Sequence, residues 1–264
     1  MKDIYNLLYE ELSSNNGISV VKEEDRNFVI KTMTDYCYAM SKLTGRGEDF
    51  YFNKIKNIGL IRFSLTDPDV EFFSPKSHCQ NFNFYSEFNG KNICGIVVSD
   101  EMKENRCYDL MHQLTHFIIE TDIDNNEIRN RDDFFEDSNN RLKEGIVEKI
   151  TQDAWDIFYK NIESPGSKES RYFVEYEVAT VLMDVMGNAD FLKLIVDNPT
   201  IILEKMKSIS YQNTNLFDYI EKELEPLVPF RGKNEKQSVD VYGILESVEA
   251  ISDCSKQLVL KMRR

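Results

Sequence analysis

Histidine is scarce in this chain, three in 264 residues, and tryptophan occurs once. Eleven glycines and six prolines make about half the usual share of helix-breaking residues, which excludes collagen-like, Gly-rich and Pro-rich architectures. Positive charge is also in deficit: 32 Lys and Arg face 46 Asp and Glu, a net charge of −14. Such a field repels phosphate backbones and anionic lipid, and the only basic cluster is the short tail Lys261-Met262-Arg263-Arg264. Neither a nucleic acid nor a membrane is therefore expected as a partner. Eighteen apolar residues nowhere run together, and Asp3, Glu10 and Glu11 interrupt any N-terminal apolar region, so a soluble, cytoplasmic protein is expected. Five cysteines (Cys37, Cys79, Cys94, Cys107, Cys254) form no C-x-x-C pair, which points to reduced, mostly buried thiols rather than disulfides or a thiolate zinc site.

What remains is a helix-leaning globular composition, 41% hydrophobic and 30% charged. Apolar periodicity predicts helices over residues 2–13 and 23–43, the second stopping before Gly45-Arg46-Gly47. That Gly-x-Gly lacks the strand and the further glycine or lysine that a phosphate loop needs. From Ile55 to Ser99 the chain turns to Ile-, Phe-, Tyr- and Val-rich runs, with Asn89-Gly90-Lys91-Asn92 read as a turn between strands 81–88 and 93–99. Helices are predicted again over 104–120, 141–160, 169–187, 199–209, 215–224 and 237–261. Two portions follow: 1–120, an α/β portion, and 121–264, a helical lobe, forming one continuous unit of the α+β class with a mixed or antiparallel sheet.

Two of the three histidines, His112 and His116, stand four apart, a coincidence expected roughly one time in fifty at random. On a helix, Cys107, Leu110, Met111, Leu114, Phe117 and Ile118 share an apolar face, which leaves the pair on a polar stripe with Asp109, Gln113 and Glu120. Imidazoles one turn apart can both reach one zinc ion. In the next helix Leu142, Ile146, Ile150, Ala154 and Ile157 make the apolar side, while Glu144, Glu148, Thr151 and Trp155 line the opposite stripe. Gly145 beside Glu144 leaves room for close approach to a neighbouring helix. Two histidines and a glutamate make a zinc triad with an open fourth position.

These residues resemble the gluzincin-type zinc metallopeptidases, in which a strand leads into an H-E-x-x-H helix and a later helix supplies an E-G-x-x-E segment. The likeness covers roughly residues 93–187. It implies a zincin-like fold, peptide-bond hydrolysis of a peptide or protein substrate, Zn2+ on His112, His116 and Glu144, and Glu148 as a neighbouring acid. It also implies that Tyr172 or Tyr176 could donate to the oxyanion of the tetrahedral intermediate.

One position departs from that pattern. The residue after the first histidine, where the family has the glutamate that takes a proton from zinc-bound water, is Gln113. An amide fills the same space but accepts no proton. We read it as a Glu-to-Gln change made in an enzyme, giving an inactive form; the alternatives are a natural pseudopeptidase that holds zinc and binds peptides, and a metal-free interaction domain. Two other patterns carry less. Asp122-Ile123-Asp124-Asn125-Asn126-Glu127 starts like a calcium loop but has Glu127 where the turn needs glycine, so a solvated acidic loop is expected. His78-Cys79 as neighbours on a strand would point to opposite faces, against a thiol–imidazole pair.

Overall fold

The computed structural model describes residues 6–8, 14–15, 18–73, 81–88, 90–99, 105–124, 127–130, 141–159, 173–211 and 213–224. Two compact units divide the chain: Met1–Arg131 with Asp153–Ser164, and Asp132–Gln152 with Pro165–Arg264. The class is α+β, mostly helical, with one three-stranded mixed sheet.

In the first unit a short ribbon, β1 (Ser14–Asn15) and β2 (Ile18–Ser19), precedes α1 (Arg26–Thr44). Val29, Ile30, Met33, Tyr36, Cys37 and Met40 recur at helical spacing on α1 and are all buried. Gly45 ends it with φ +70°, a left-handed conformation in which its N–H reaches back to the Ser41 carbonyl. Then come α2 (Glu48–Ile55), β3 (Ile58–Arg62), α3 (Pro68–Phe73), β4 (Phe82–Phe88) and β5 (Lys91–Val97). The central strand β5 pairs parallel with β3 and antiparallel with β4. Phe88 pairs with Lys91, so only residues 89 and 90 separate the strands, and Gly90 has φ +74°. The turn is thus shorter than the sequence implied, and Lys91 and Asn92 belong to the ladder.

One face of this sheet carries Leu60, Phe84 and Val97 against Val70 of α3. The opposite face receives α4 (Arg106–Glu120), which packs on β4 and β5 and also on α1 and α2. Arg62, 2% exposed at the end of β3, donates to the carbonyls of Ser19 and Val20 at 2.9 Å and to Asp69, which ties the ribbon to the sheet edge.

Beyond α4 the expected acidic loop is instead a hairpin, β6 (Thr121–Asp124) with β7 (Glu127–Asn130). Period-two alternation overrides the polar composition, and the register sets Ile123 opposite Ile128 and Asp122 opposite Arg129 along the ladder.

Helix α5 (Arg141–Tyr159) starts in the second unit and ends in the first. In the first unit its last turns stack Trp155 on Tyr159 (centroids 4.2 Å) and against the edge of Tyr108 (5.5 Å). There the Tyr159 hydroxyl donates to Asp35 at 3.2 Å and receives Lys31 at 3.1 Å; burial above all pushes its pKa up to about 12. Ile157, expected in the apolar face of α5, is 36% exposed, whereas Thr151 and Trp155, expected on the polar stripe, are buried. The aromatic stack accounts for the exchange, because Trp155 has more apolar surface to hide than Ile157.

The second unit continues with α6 (Phe173–Met186), α7 (Asn188–Asp197), α8 (Pro199–Lys207), the ribbon β8 (Ser210–Tyr211) and β9 (Thr214–Asn215), and α9 (Leu216–Leu224). Helices α2, α3 and α7 have no counterpart among the helices expected from the sequence, where the run over 169–187 ends at Gly187. At φ +85° Gly187 turns the chain so that α7 starts at once, its carbonyl accepting from the Phe191 N–H. The predicted helix over 237–261 and most of that over 2–13 lie outside the described residues. Among the described residues no helix is long and apolar enough to cross a membrane.

A close approach fixes the start of α5. A Cβ on Gly145 would run into the backbone carbonyl of Glu175, so only glycine permits this packing of α6 on α5. Beside it Arg141, 3% exposed, donates to Glu175, 2% exposed, at 2.5 Å. Burial raises the pKa of Glu175 in spite of that partner, so the pair costs desolvation and is held by geometry. Removing one partner should therefore cost more than removing both: Arg141→Met is expected to lose about 3–5 kcal/mol of unfolding free energy, because it strands a buried carboxylate. The double variant Arg141→Met/Glu175→Met should lose less. Urea unfolding of the three proteins measures this, and equal losses in single and double variants would contradict it.

Candidate metal centre

Helix α4 is held along its length by side chains from distant elements. The Tyr36 hydroxyl of α1 donates to Thr115 Oγ1 at 3.0 Å, and Thr115 donates to the Met111 carbonyl at 2.9 Å. Asn83 Nδ2 of β4 donates to the Gln113 carbonyl at 3.1 Å. Lys54 of α2 reaches the carbonyls of Ile118 (3.3 Å) and Thr121 (3.4 Å), placing a cation at the negative end of the helix. On the polar stripe Gln113 is 5% and His116 8% exposed, whereas Asp109, His112 and Glu120 are half-buried.

His112 and His116 present their Nε2 atoms to each other at 3.1 Å, ring planes 64° apart. Two such nitrogens must share either a proton or a cation. A tetrahedral zinc ion with bonds of 2.0–2.1 Å would set its nitrogen ligands about 3.3 Å apart, so the pair needs to open by only about 0.2 Å. Ligand atoms of His112, His116 and Glu144 all lie within 4.8 Å of one another. The donor set is thus hard enough and small enough for zinc, with two imidazoles and one carboxylate.

The other residues singled out from sequence fall as follows. Gln113 lies on the same helix as the pair, and among the described residues nothing hydrogen-bonds its side-chain amide. Glu148, 4% exposed, stands one turn along α5 from Glu144. Tyr176 is half-buried on α6, and Tyr172 lies outside the described residues, as do His78 and Cys79. Cys37 and Cys94 are buried free thiols, and burial pushes both pKa values up, as inert core cysteines require; Cys107 is free and half-buried.

Sequence reasoning left two residues without a role. Arg141 carries no motif, and only the buried pair with Glu175 reveals it. Glu120 did carry a signal, since it follows His116 by one helical turn, and its Oε1 lies 2.8 Å from His116 Nδ1.

The chain matches no protein-family model, no curated protein and no solved structure.

His112→Ala and His116→Ala should each remove most of the zinc from a chain that otherwise holds one ion, and should erase the rise in melting temperature that added zinc gives the wild type. Metal analysis of untagged protein and thermal unfolding with and without Zn2+ measure this. Undiminished zinc in both variants would remove the ligand assignment.

Proposed function

We propose that the chain is a zinc metallopeptidase of the gluzincin type, with a zincin-like fold and peptide or protein substrates, held without turnover by Gln113. The observation that carries this reading is the convergence of His112, His116 and Glu144 within 4.8 Å. It is supported by their setting, in which an antiparallel hairpin, β4–β5, leads into the helix with the histidine pair.

Zinc, when bound there, would polarise a substrate carbonyl and lower the pKa of a coordinated water towards about 7. The chain's own residues do the rest. His112, His116 and Glu144 would hold the ion, and burial of His116 excludes bulk water from its side of the site. Gln113 supplies an amide that can orient a water molecule through hydrogen bonds but has no basic oxygen to take its proton. Tyr176 is the described candidate for donating a hydrogen bond to a developing oxyanion, with Tyr172 the other. Glu148 provides a second buried carboxylate on the helix of Glu144.

The second reading, a natural pseudopeptidase that retains zinc as a peptide- or protein-binding module, shares every ligand and differs only in what the base would restore. Gln113 is enclosed and its amide makes no hydrogen bond among the described residues, so a carboxylate of the same size fits the space.

Gln113→Glu tests the choice. General-base catalysis contributes roughly 10²- to 10⁴-fold, so the variant should cleave a peptide library at least that much faster than the unmodified chain, and lose the activity to a chelator. Retained zinc with no cleavage would favour the pseudopeptidase. Equal, chelator-sensitive cleavage by both proteins would place the base elsewhere, with Glu148 the first candidate.

A further inference from the structure

The last turn of α4 carries its acid at the wrong end. Negative charge is disfavoured at a helix C-terminus, yet Glu120 is the final residue of α4 and its side chain is only 17% exposed. Its carboxylate lies 2.8 Å from His116 Nδ1, while the opposite nitrogen of the same ring, Nε2, faces His112 at 3.1 Å. We infer that Glu120 is a positioning residue that fixes His116 in the Nδ1–H tautomer and so turns its Nε2 lone pair toward the metal. This rests on the zinc reading of His112, His116 and Glu144 given above.

The tautomer follows from proton counting. An ionised carboxylate only accepts, so the hydrogen between Glu120 and His116 belongs to Nδ1. A neutral imidazole carries one N–H, which leaves Nε2 of His116 as an acceptor. With both rings neutral, its neighbour 3.1 Å away is the donor, so that in the metal-free chain His112 carries its proton on Nε2. The two histidines are therefore unequal. His116 is ready to ligate, whereas His112 must move its proton to Nδ1 before it can.

The position of Glu120 depends on the helix staying wound to its end. Thr121 caps it, with its N–H and its hydroxyl both donating to the Phe117 carbonyl, and Lys54 holds the carbonyls of Ile118 and Thr121. An ordinary i,i+4 ion pair on an exposed helix face would explain the contact without any metal. Here His116 is 8% exposed and the partner nitrogen is aimed at a second imidazole, a geometry that helix stabilisation alone does not require.

The experiment uses the full chain, 15N-histidine NMR of the metal-free protein, and competition between the protein and a chelating dye for Zn2+ alone. The expected wild-type spectrum shows His116 protonated on Nδ1 and His112 on Nε2. Glu120→Ala should leave His116 as a mixture of tautomers and weaken zinc binding roughly 10- to 100-fold. Glu120→Gln, whose amide oxygen still accepts from Nδ1, should restore the tautomer and most of the affinity, a rescue that loss of a helix ion pair would not give. His116 found protonated on Nε2 in the wild type overturns the inference, and that spectrum decides even if Glu120→Ala does not fold. Zinc bound as tightly by Glu120→Ala as by the wild type overturns it while leaving the metal centre standing. A wild type that takes up no zinc overturns the metal centre, and with it the role assigned to Glu120.

Discussion

Burial on nearly every side of α4 is the constraint from which the rest of the molecule follows. A helix with water on one side can leave its polar groups to solvent, but one enclosed by α1, α2, β4 and β5 must have them answered by protein. Tyr36 answers Thr115, Asn83 the Gln113 carbonyl, Lys54 the C-terminal carbonyls and Glu120 the His116 ring. The first three of these contacts each join another element to the same rod, and the fourth lies within it. The two imidazoles are consequently held against each other on an enclosed helix, with Glu120 against the far nitrogen of the His116 ring.

The same enclosure explains why part of the design was legible in the sequence and part was not. Features with local signals were readable: Gly45 closing α1 and the apolar spacing of α4. The histidine pair was readable because one-turn spacing is a property of the helix itself, and Glu144 because it stands beside Gly145 at the start of the next helix. The sidedness of α4 and α5 was not. Periodicity separates apolar from polar residues, but Gln113, Thr115, Thr151 and Glu148 are polar and buried all the same; Thr115 is answered by Tyr36, far along the chain, and Thr151 by the Val147 carbonyl one turn back. The β6–β7 pairing was hidden because the acidic composition of the segment outweighed its short alternation in the reading of the sequence.

At the start of α5 the geometry of a single glycine sets what the neighbouring acid can do. With no side chain at Gly145 the backbone of α6 closes on α5 at Glu175, and Arg141 neutralises the carboxylate this brings into the interior. Glu144 projects from that same turn. The backbone position from which its side chain starts is therefore set by that packing and by the buried ion pair beside it.

The aromatic stack at the far end of α5 has an optical consequence. Trp155 is the only tryptophan in the chain, is 5% exposed, and lies 4.2 Å from the ring of Tyr159. All indole emission from this protein thus originates at one place, some eleven residues or about 16 Å along the helix from Glu144. The wavelength of that emission reads the local environment of one helix, and light absorbed by Tyr108 and Tyr159 is passed to the same emitter. The fold has in effect labelled its own shaft with a fluorophore, without any introduced dye.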